Sequence, residues 1–385
     1  MTYPVGPARA GLCVFGVSAI SFLPRLLSSR EPRMRIFHCS NCANVVHFDN
    51  SGCVSCGMRL AYRPSRFDMV ALKPDGGAFR DPAEPQTLLT PCANADMGAC
   101  NWLVEDGHAG GFCVACRHNL TIPNLSTQTN VENWQRIELA KRYLFYSLMR
   151  FGLPLVSRAD DPSNGLGFEF LADENETGTP VLTGHANGLI TLNIAEASDA
   201  EREARRVSLG EPFRTLIGHF RHEVGHYYWD RLVRDRDGQE AFRALFGDER
   251  QDYDAALQQH YAQGPAPGWE QSYVSAYAAS HPWEDFAETW AHYFHIVDAL
   301  DTADAFGLRT HPETDAPELS LTTTFDSYRA VNARVLLDAW VPLTIAINSI
   351  NRSMGQRDLY PFVLSAPVLD KLQYIHDIIH APPVG

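Results

Sequence analysis

The sequence predicts an α+β protein: a small β module built on cysteines, followed by a larger, mostly helical domain with a small β-sheet. Three observations lead there. Eight of the nine cysteines lie between Cys39 and Cys116, and several are spaced as CxxC. Beyond residue 126, apolar residues recur mainly at helical spacing, interrupted by two short alternating stretches. The segment His222-Glu223-Val224-Gly225-His226 falls within one of these helical patterns. The expected boundaries are an extension over 1–33, a double cysteine module over 34–125 and the helical domain over 126–385.

At 385 residues the chain is long enough for a sizeable core, and 45% hydrophobic with 20% charged residues is ordinary for a globular protein. The net charge of −14 argues against an extended nucleic-acid-binding surface, although one small module could still serve that role. No run of 18 apolar residues is present, so no membrane association is expected. Gly11 to Leu27 is moderately apolar but is interrupted by Pro24 and Arg25, which makes it a poor signal peptide. Translation from Met34, with 1–33 unstructured, is the expected arrangement, and CxxC thiols in a long chain point to the reducing cytoplasm.

Within the module, short strands over 34–38 and 44–48 are expected around CxxC turns. The stretch 64–91, with Pro64, Pro74, Pro82, Pro85, Pro91, Gly76 and Gly77, reads as mostly loop. Trp134, Ile137, Leu144, Phe145 and Leu148 mark an amphipathic helix over 130–151, ended by Gly152 and Pro154. Strands are expected at 167–171 and 189–194. Pro212 is read as opening the helix that carries Phe213, Leu216, Ile217, Phe220 and Val224. Further helices are expected over 239–260, 282–300, 325–351 and 367–379.

Zinc favours four tetrahedral ligands, and two facing CxxC turns supply four thiolates while closing the metal to water. Cys39, Cys42, Cys53 and Cys56 meet that need. Cys92, Cys100, Cys113 and Cys116 form a second set with a wider first spacing, for which His108 or His118 could substitute. Cys13 reads as inert. Such sites fold chain too short to bury its own core, so the module is expected to recognise or dock a protein or nucleic acid.

His222 and His226 stand at i and i+4, so both imidazoles reach one zinc from one helix face, and Glu223 sits beside them to take a proton from an attacking water. Glu284 and Glu288 follow a helix start at Pro282 and also share one face, which suits a ligand and its supporting partner. Either glutamate could ligate, and His292, one further i+4 step on, could contribute, although packing or hydrogen bonding is its expected role. His185, His219, His260, His281 and His295 have no ligand spacing. Tyr227, Tyr228, Trp229 and Trp290 read as core.

The third-histidine position of metzincins holds Leu232 here, and the preceding glycine position holds Trp229, which excludes that class. HEVGH together with Tyr277 and the Glu284-Asp-Phe-Ala-Glu288 helix resembles lethal-factor-type gluzincins, in which a tyrosine precedes the glutamate ligand by seven residues. Over 34–380, the cysteine module followed by the HExxH domain resembles the bacterial zinc-binding metallopeptidase family with an N-terminal zinc ribbon. The resemblance implies a gluzincin-like domain, His222, His226 and Glu284 as ligands of a catalytic zinc beside two structural zincs, Glu223 as general base and Tyr277 steadying the oxyanion. Glu288 is then the supporting partner.

The expected reaction is hydrolysis of a peptide bond in a peptide or protein substrate. The alternative is a non-catalytic, zinc-stabilised binding protein that recognises protein or nucleic acid. Gly188 to Ala195 is the candidate edge strand for an extended substrate, with an ordinary sheet strand as the competing reading. The polar segment 351–362 reads as a packed helix connection in preference to a cap on the cleft.

Overall fold

The computed structural model describes residues 36–105, 111–173, 181, 183–198, 202, 215–313, 315–322 and 325–382. The extension over 1–33 with Cys13, the proposed start at Met34, and His108 and Pro212 lie outside these residues. Strands β1 (Phe37–His38) and β2 (Val45–Val46) pair antiparallel about the first CxxC turn. Five antiparallel strands follow in sequence order: β3 (Arg59–Arg63), β4 (Asp68–Asp75), β5 (Ala78–Asp81), β6 (Glu84–Pro91) and β7 (Leu103–Val104). The Tyr62 N–H donates to the Asn101 carbonyl at 2.7 Å, which brings the first strand back beside the last. The curled sheet encloses its own apolar cluster of Ala61, Val70, Leu72, Leu89 and Leu103, with Phe79 packed against it.

This sheet corrects the expected loop over 64–91. Proline is tolerated in a strand where no ladder hydrogen bond is required of its nitrogen. Pro74 lies beyond the stretch of β4 that pairs with β3, and Pro85 lies in the register shift between β5 and β6, where the pairing on β6 passes from Glu84 to Leu88. Gly76 and Gly77, both at positive φ, form the two-residue link of a hairpin. They mark a turn between strands and do not exclude strands around it.

Strand β8 (Asn119–Thr121), at the end of the cysteine module, joins the sheet of the second region. That sheet runs β10 (Gly184–Ala186), β11 (Leu189–Asn193), β9 (Gly167–Leu171), β8, with only the β10–β11 pair antiparallel. Between β8 and β9, helix α1 (Gln128–Arg150) is capped by the Thr127 side chain accepting from Asn130 N. Its Trp134, Ile137, Leu144, Phe145 and Leu148 are fully buried. The ring of Phe48 from the module lies 4.8 Å from Tyr143 and 5.6 Å from Tyr146 of α1, within one continuous core.

Helix α2 (Leu216–Leu232) carries HEVGH and begins at a Thr215 cap, whose side chain accepts from Gly218 N. It therefore starts after Pro212. The helix expected over 239–260 is two helices, α3 (Gln239–Phe246) and α4 (Tyr253–Gln263). Gly247 at φ 99° ends the first, and the Asp252 side chain caps the second. Helix α5 (Pro282–Ala305) follows. Helix α6 (Ala333–Ser353) starts later than expected because the Asn332 side chain caps it, and α7 (Ala366–His380) closes the fold. Short strands β12 (Arg309–Thr310) and β13 (Leu321–Thr322) pair between α5 and α6.

Helix α6 is the one described helix long and apolar enough to cross a membrane by composition. Its Leu336, Leu337, Ala339, Trp340 and Leu343 are nevertheless buried in the protein, and Pro342 lies within it. The segment after α6 is tied back to that helix at its far end, where Asn348 exchanges hydrogen bonds with the backbone of the buried Tyr360 at 2.8 and 3.1 Å, while 352–357 are exposed.

Candidate metal centres

The first cysteine quartet gathers at two turns, with Sγ···Sγ separations of 3.7 Å for Cys39–Cys56 and 3.6 Å for Cys42–Cys53. In the second, Cys100 and Cys113 are 3.8 Å apart. A tetrahedron of sulfurs at 2.3 Å from zinc has edges of about 3.8 Å, so both quartets have the dimensions of a closed zinc site. None of the eight cysteines forms a disulfide. All four residues of the second set are buried, and N–H groups of Trp102 and Cys113 donate to Cys100 and Cys92 sulfurs at 3.4 Å. His118 does not join that set: its Nδ1 lies 2.9 Å from the Leu166 carbonyl, and burial lowers its pKa to about 4.

A buried network stands behind the second quartet. Cys116 Sγ lies 3.7 Å from Glu138 Oε2, and Glu138 Oε1 meets Lys141 Nζ at 2.9 Å and Asn119 Nδ2 at 2.6 Å. Glu138 and Lys141 are both fully buried on α1. A buried ion pair is costly to break because the surviving partner is left uncompensated. The module is thereby keyed to α1 by charge as well as by Phe48.

The third cluster lies where α2 crosses α5. A Cβ on Gly225 would sit 3.1 Å from Ala287 Cα and 3.3 Å from Trp290, so glycine permits this close crossing. His222 Nε2 lies 2.9 Å from Glu284 Oε2, and His226 Nε2 lies 3.4 Å from Glu284 Oε1. One donor atom from each of the three residues falls within 4.8 Å of the others. All three are buried, and Glu284 Oε2 accepts no hydrogen bond of acceptable geometry despite its burial. A buried carboxylate whose two oxygens each face an imidazole nitrogen fits a divalent cation of zinc's chemistry.

Glu288 occupies the other side of His222, with Oε1 2.7 Å from Nδ1, while Ser275 Oγ donates to its Oε2 at 2.6 Å. This is the carboxylate–histidine arrangement that orients a ligand ring. Burial opposes charge on His222, but Glu284 and Glu288 override it and hold the imidazole well above its ordinary pKa. Glu223 is buried on the same helix. The half-buried Tyr277 ring lies 5.9 Å from that of His222. Burial, then Glu284, pushes its hydroxyl well above the ordinary tyrosine range, so it remains a proton donor at neutral pH. His292 faces away, with Nδ1 2.7 Å from the Tyr360 hydroxyl.

Sequence reasoning missed three residues here. Tyr253, at the start of α4, donates to Glu284 Oε1 at 2.6 Å. His185 stacks on His226 at 5.9 Å, and Trp283 packs against His226 at 4.1 Å. The expected edge strand also moves. Strand β11 is flanked by β10 and β9, so among the described residues the edge strand is β10, which carries His185. The signal was available in Asn187-Gly188, a two-residue hairpin link at φ 48° and 82°.

Residues 36–127 match a zinc-ribbon domain family. Over 348 residues the chain is 44% identical to uncharacterized proteins of Mycobacterium bovis and of two strains of Mycobacterium tuberculosis, covering 90% of this chain and 95% of each relative. No solved structure matches. Residues 130–378, most of the chain, match the family described as "putative zinc-binding metallo-peptidase", and the chain belongs to that family.

Proposed function

We propose that the protein is a zinc-dependent peptidase that hydrolyses a peptide bond in a peptide or protein substrate. The observation that carries this reading is the coexistence of a buried His222/His226/Glu284 donor set with Glu223 and Tyr277, two groups a purely structural site does not require. Zinc held by these three side chains supplies Lewis-acid polarisation of a carbonyl and lowers the pKa of a water toward neutrality. Glu223 takes the proton of the attacking water and delivers it to the departing amine. The Tyr277 hydroxyl donates to the carbonyl oxygen as negative charge develops there. Glu288, steadied by Ser275, holds the His222 ring in place.

An extended substrate pairs with the side of β10 opposite β11. The two cysteine quartets hold structural zincs, and the reducing cytoplasm suits them. The test compares protein N-termini in cells carrying the wild-type chain with those carrying Glu223→Gln. New N-termini confined to the wild type support hydrolysis. Identical N-termini, with both proteins expressed and zinc-loaded, would overturn it.

A further inference from the structure

We propose that His219 is a substrate-positioning residue whose Nε2 accepts a hydrogen bond from a main-chain N–H of the bound peptide. The inference rests on the peptidase reading above and adds to it a specific contact.

His219 precedes Glu223 by four residues on α2, so the two side chains share one helix face about 6 Å apart at Cβ. His219 Nδ1 lies 2.6 Å from Oε2 of Glu196, a buried carboxylate in the short helical turn directly after β11. The other oxygen of Glu196 accepts from Thr183 Oγ1 at 2.7 Å, and Thr183 immediately precedes β10. One carboxylate thus ties the entry to the edge strand to the helix that bears the general base.

The geometry also gives a direction. Along β10, His185 stacks over His226, while Thr183, two residues earlier, reaches His219 through Glu196. From Thr183 to His185 the edge strand therefore runs alongside α2 from the His219 turn toward the His226 turn. A peptide paired antiparallel with the side of β10 opposite β11 passes the zinc ligands and then the His219 ring.

The carboxylate sets the tautomer. In its neutral form, an imidazole that donates from Nδ1 to a carboxylate presents a bare lone pair at Nε2. No described residue hydrogen-bonds that nitrogen, and the side chain keeps 17% of its surface exposed. A lone pair at that position matches a peptide N–H and not a carbonyl. A merely structural His219 would need only Nδ1, which fastens α2 to the end of β11.

The two roles separate by substitution. His219→Asn keeps a donor near the Nδ1 position and removes Nε2. Glu196→Gln turns its amide donor toward Nδ1, moving the ring proton to Nε2 so that it repels a peptide N–H. Two probes are measured on zinc-loaded protein: acetohydroxamate, which offers only a metal-binding group, and a tripeptide hydroxamate, which adds main-chain N–H groups. The wild type should prefer the tripeptide probe. Both substitutions should reduce that preference about tenfold, the weight of one hydrogen bond, with acetohydroxamate affinity and zinc content unchanged. If His219→Asn keeps the full preference, the contact is refuted and the peptidase reading stands. If the wild type itself shows no preference, the peptide site fails and the contact with it. Should His219→Asn fail to fold, Glu196→Gln decides alone by the same criterion.

Discussion

Glu284 and Glu288 stand one helical turn apart on α5 and meet opposite nitrogens of the same imidazole, Nε2 and Nδ1 of His222. Their substitutions should therefore differ in kind. Glu284→Ala should abolish zinc binding at this centre, because two imidazoles remain of three donors. Glu288→Ala and Tyr253→Phe each remove an orienting hydrogen bond and should weaken zinc by about 10 to 100-fold, measured by competition with a chelator. Zinc lost on Glu288→Ala but retained on Glu284→Ala would reverse the assignment. Glu223→Gln should keep zinc and thermal stability while peptide hydrolysis falls below detection, since the amide takes no proton. Both His222 and His226 are legible from their i, i+4 spacing. The choice between the glutamates is not, because it depends on how α5 is rotated against α2.

At the scale of elements, the crossing of α2 and α5 sets the distance between the histidines and Glu284. Gly225→Ala gains about 1 kcal/mol of helix propensity. The added methyl would meet Ala287 Cα and the fully buried Trp290, neither free to move aside, and overpacking of that kind costs about 1–3 kcal/mol. The variant should therefore be less stable in denaturant titration and bind zinc more weakly. Equal or greater stability would show that the helices can separate at no cost.

The cysteine module is a second element-scale case. Phe48 and the Cys116–Glu138–Lys141 network dock it on α1, and β8 extends the sheet that carries β10. Native protein should contain three zincs per chain, one readily exchangeable. Stripping the cysteine-held metals should lower the melting temperature of the whole chain in one transition; two separate transitions would mean independent folding. The strands over 68–91 were hidden in the sequence because proline and glycine counts say where a turn is permitted, not how much strand lies between turns.

Over the whole molecule, several histidines are buried and neutral. Burial lowers His118, His292 and His376 to about 4, well under the ordinary 6.5. An unfolded chain protonates such groups below pH 6.5 while the folded chain does not until about pH 4, so stability is full above 6.5 and is lost as pH falls through that window. For His118 alone the shift is worth up to about 3 kcal/mol. Denaturant midpoints should fall steadily from pH 6.5 to 4, and His118→Asn should flatten part of that slope. A midpoint constant across this range would contradict the depressed values.

By itself the sequence determined the chemistry available to this protein. Local spacing puts six thiols into three CxxC pairs and two imidazoles on one helix face, and hydrophobic periodicity places α1, α2, α5 and α7 and strands β9 and β11. Tertiary structure decided which distant groups complete those local arrangements. Tyr253 reaches Glu284 only because Gly247 breaks the chain between α3 and α4, and β10 becomes the edge only because the Asn187-Gly188 hairpin folds it outside β11. His219 has no ligand spacing in the sequence and acquires a partner only when β11 delivers Glu196 to it. Spacing along a chain specifies contacts within a turn or a helix face. Contacts between elements depend on crossing distance and rotation, which the packing of the whole core sets.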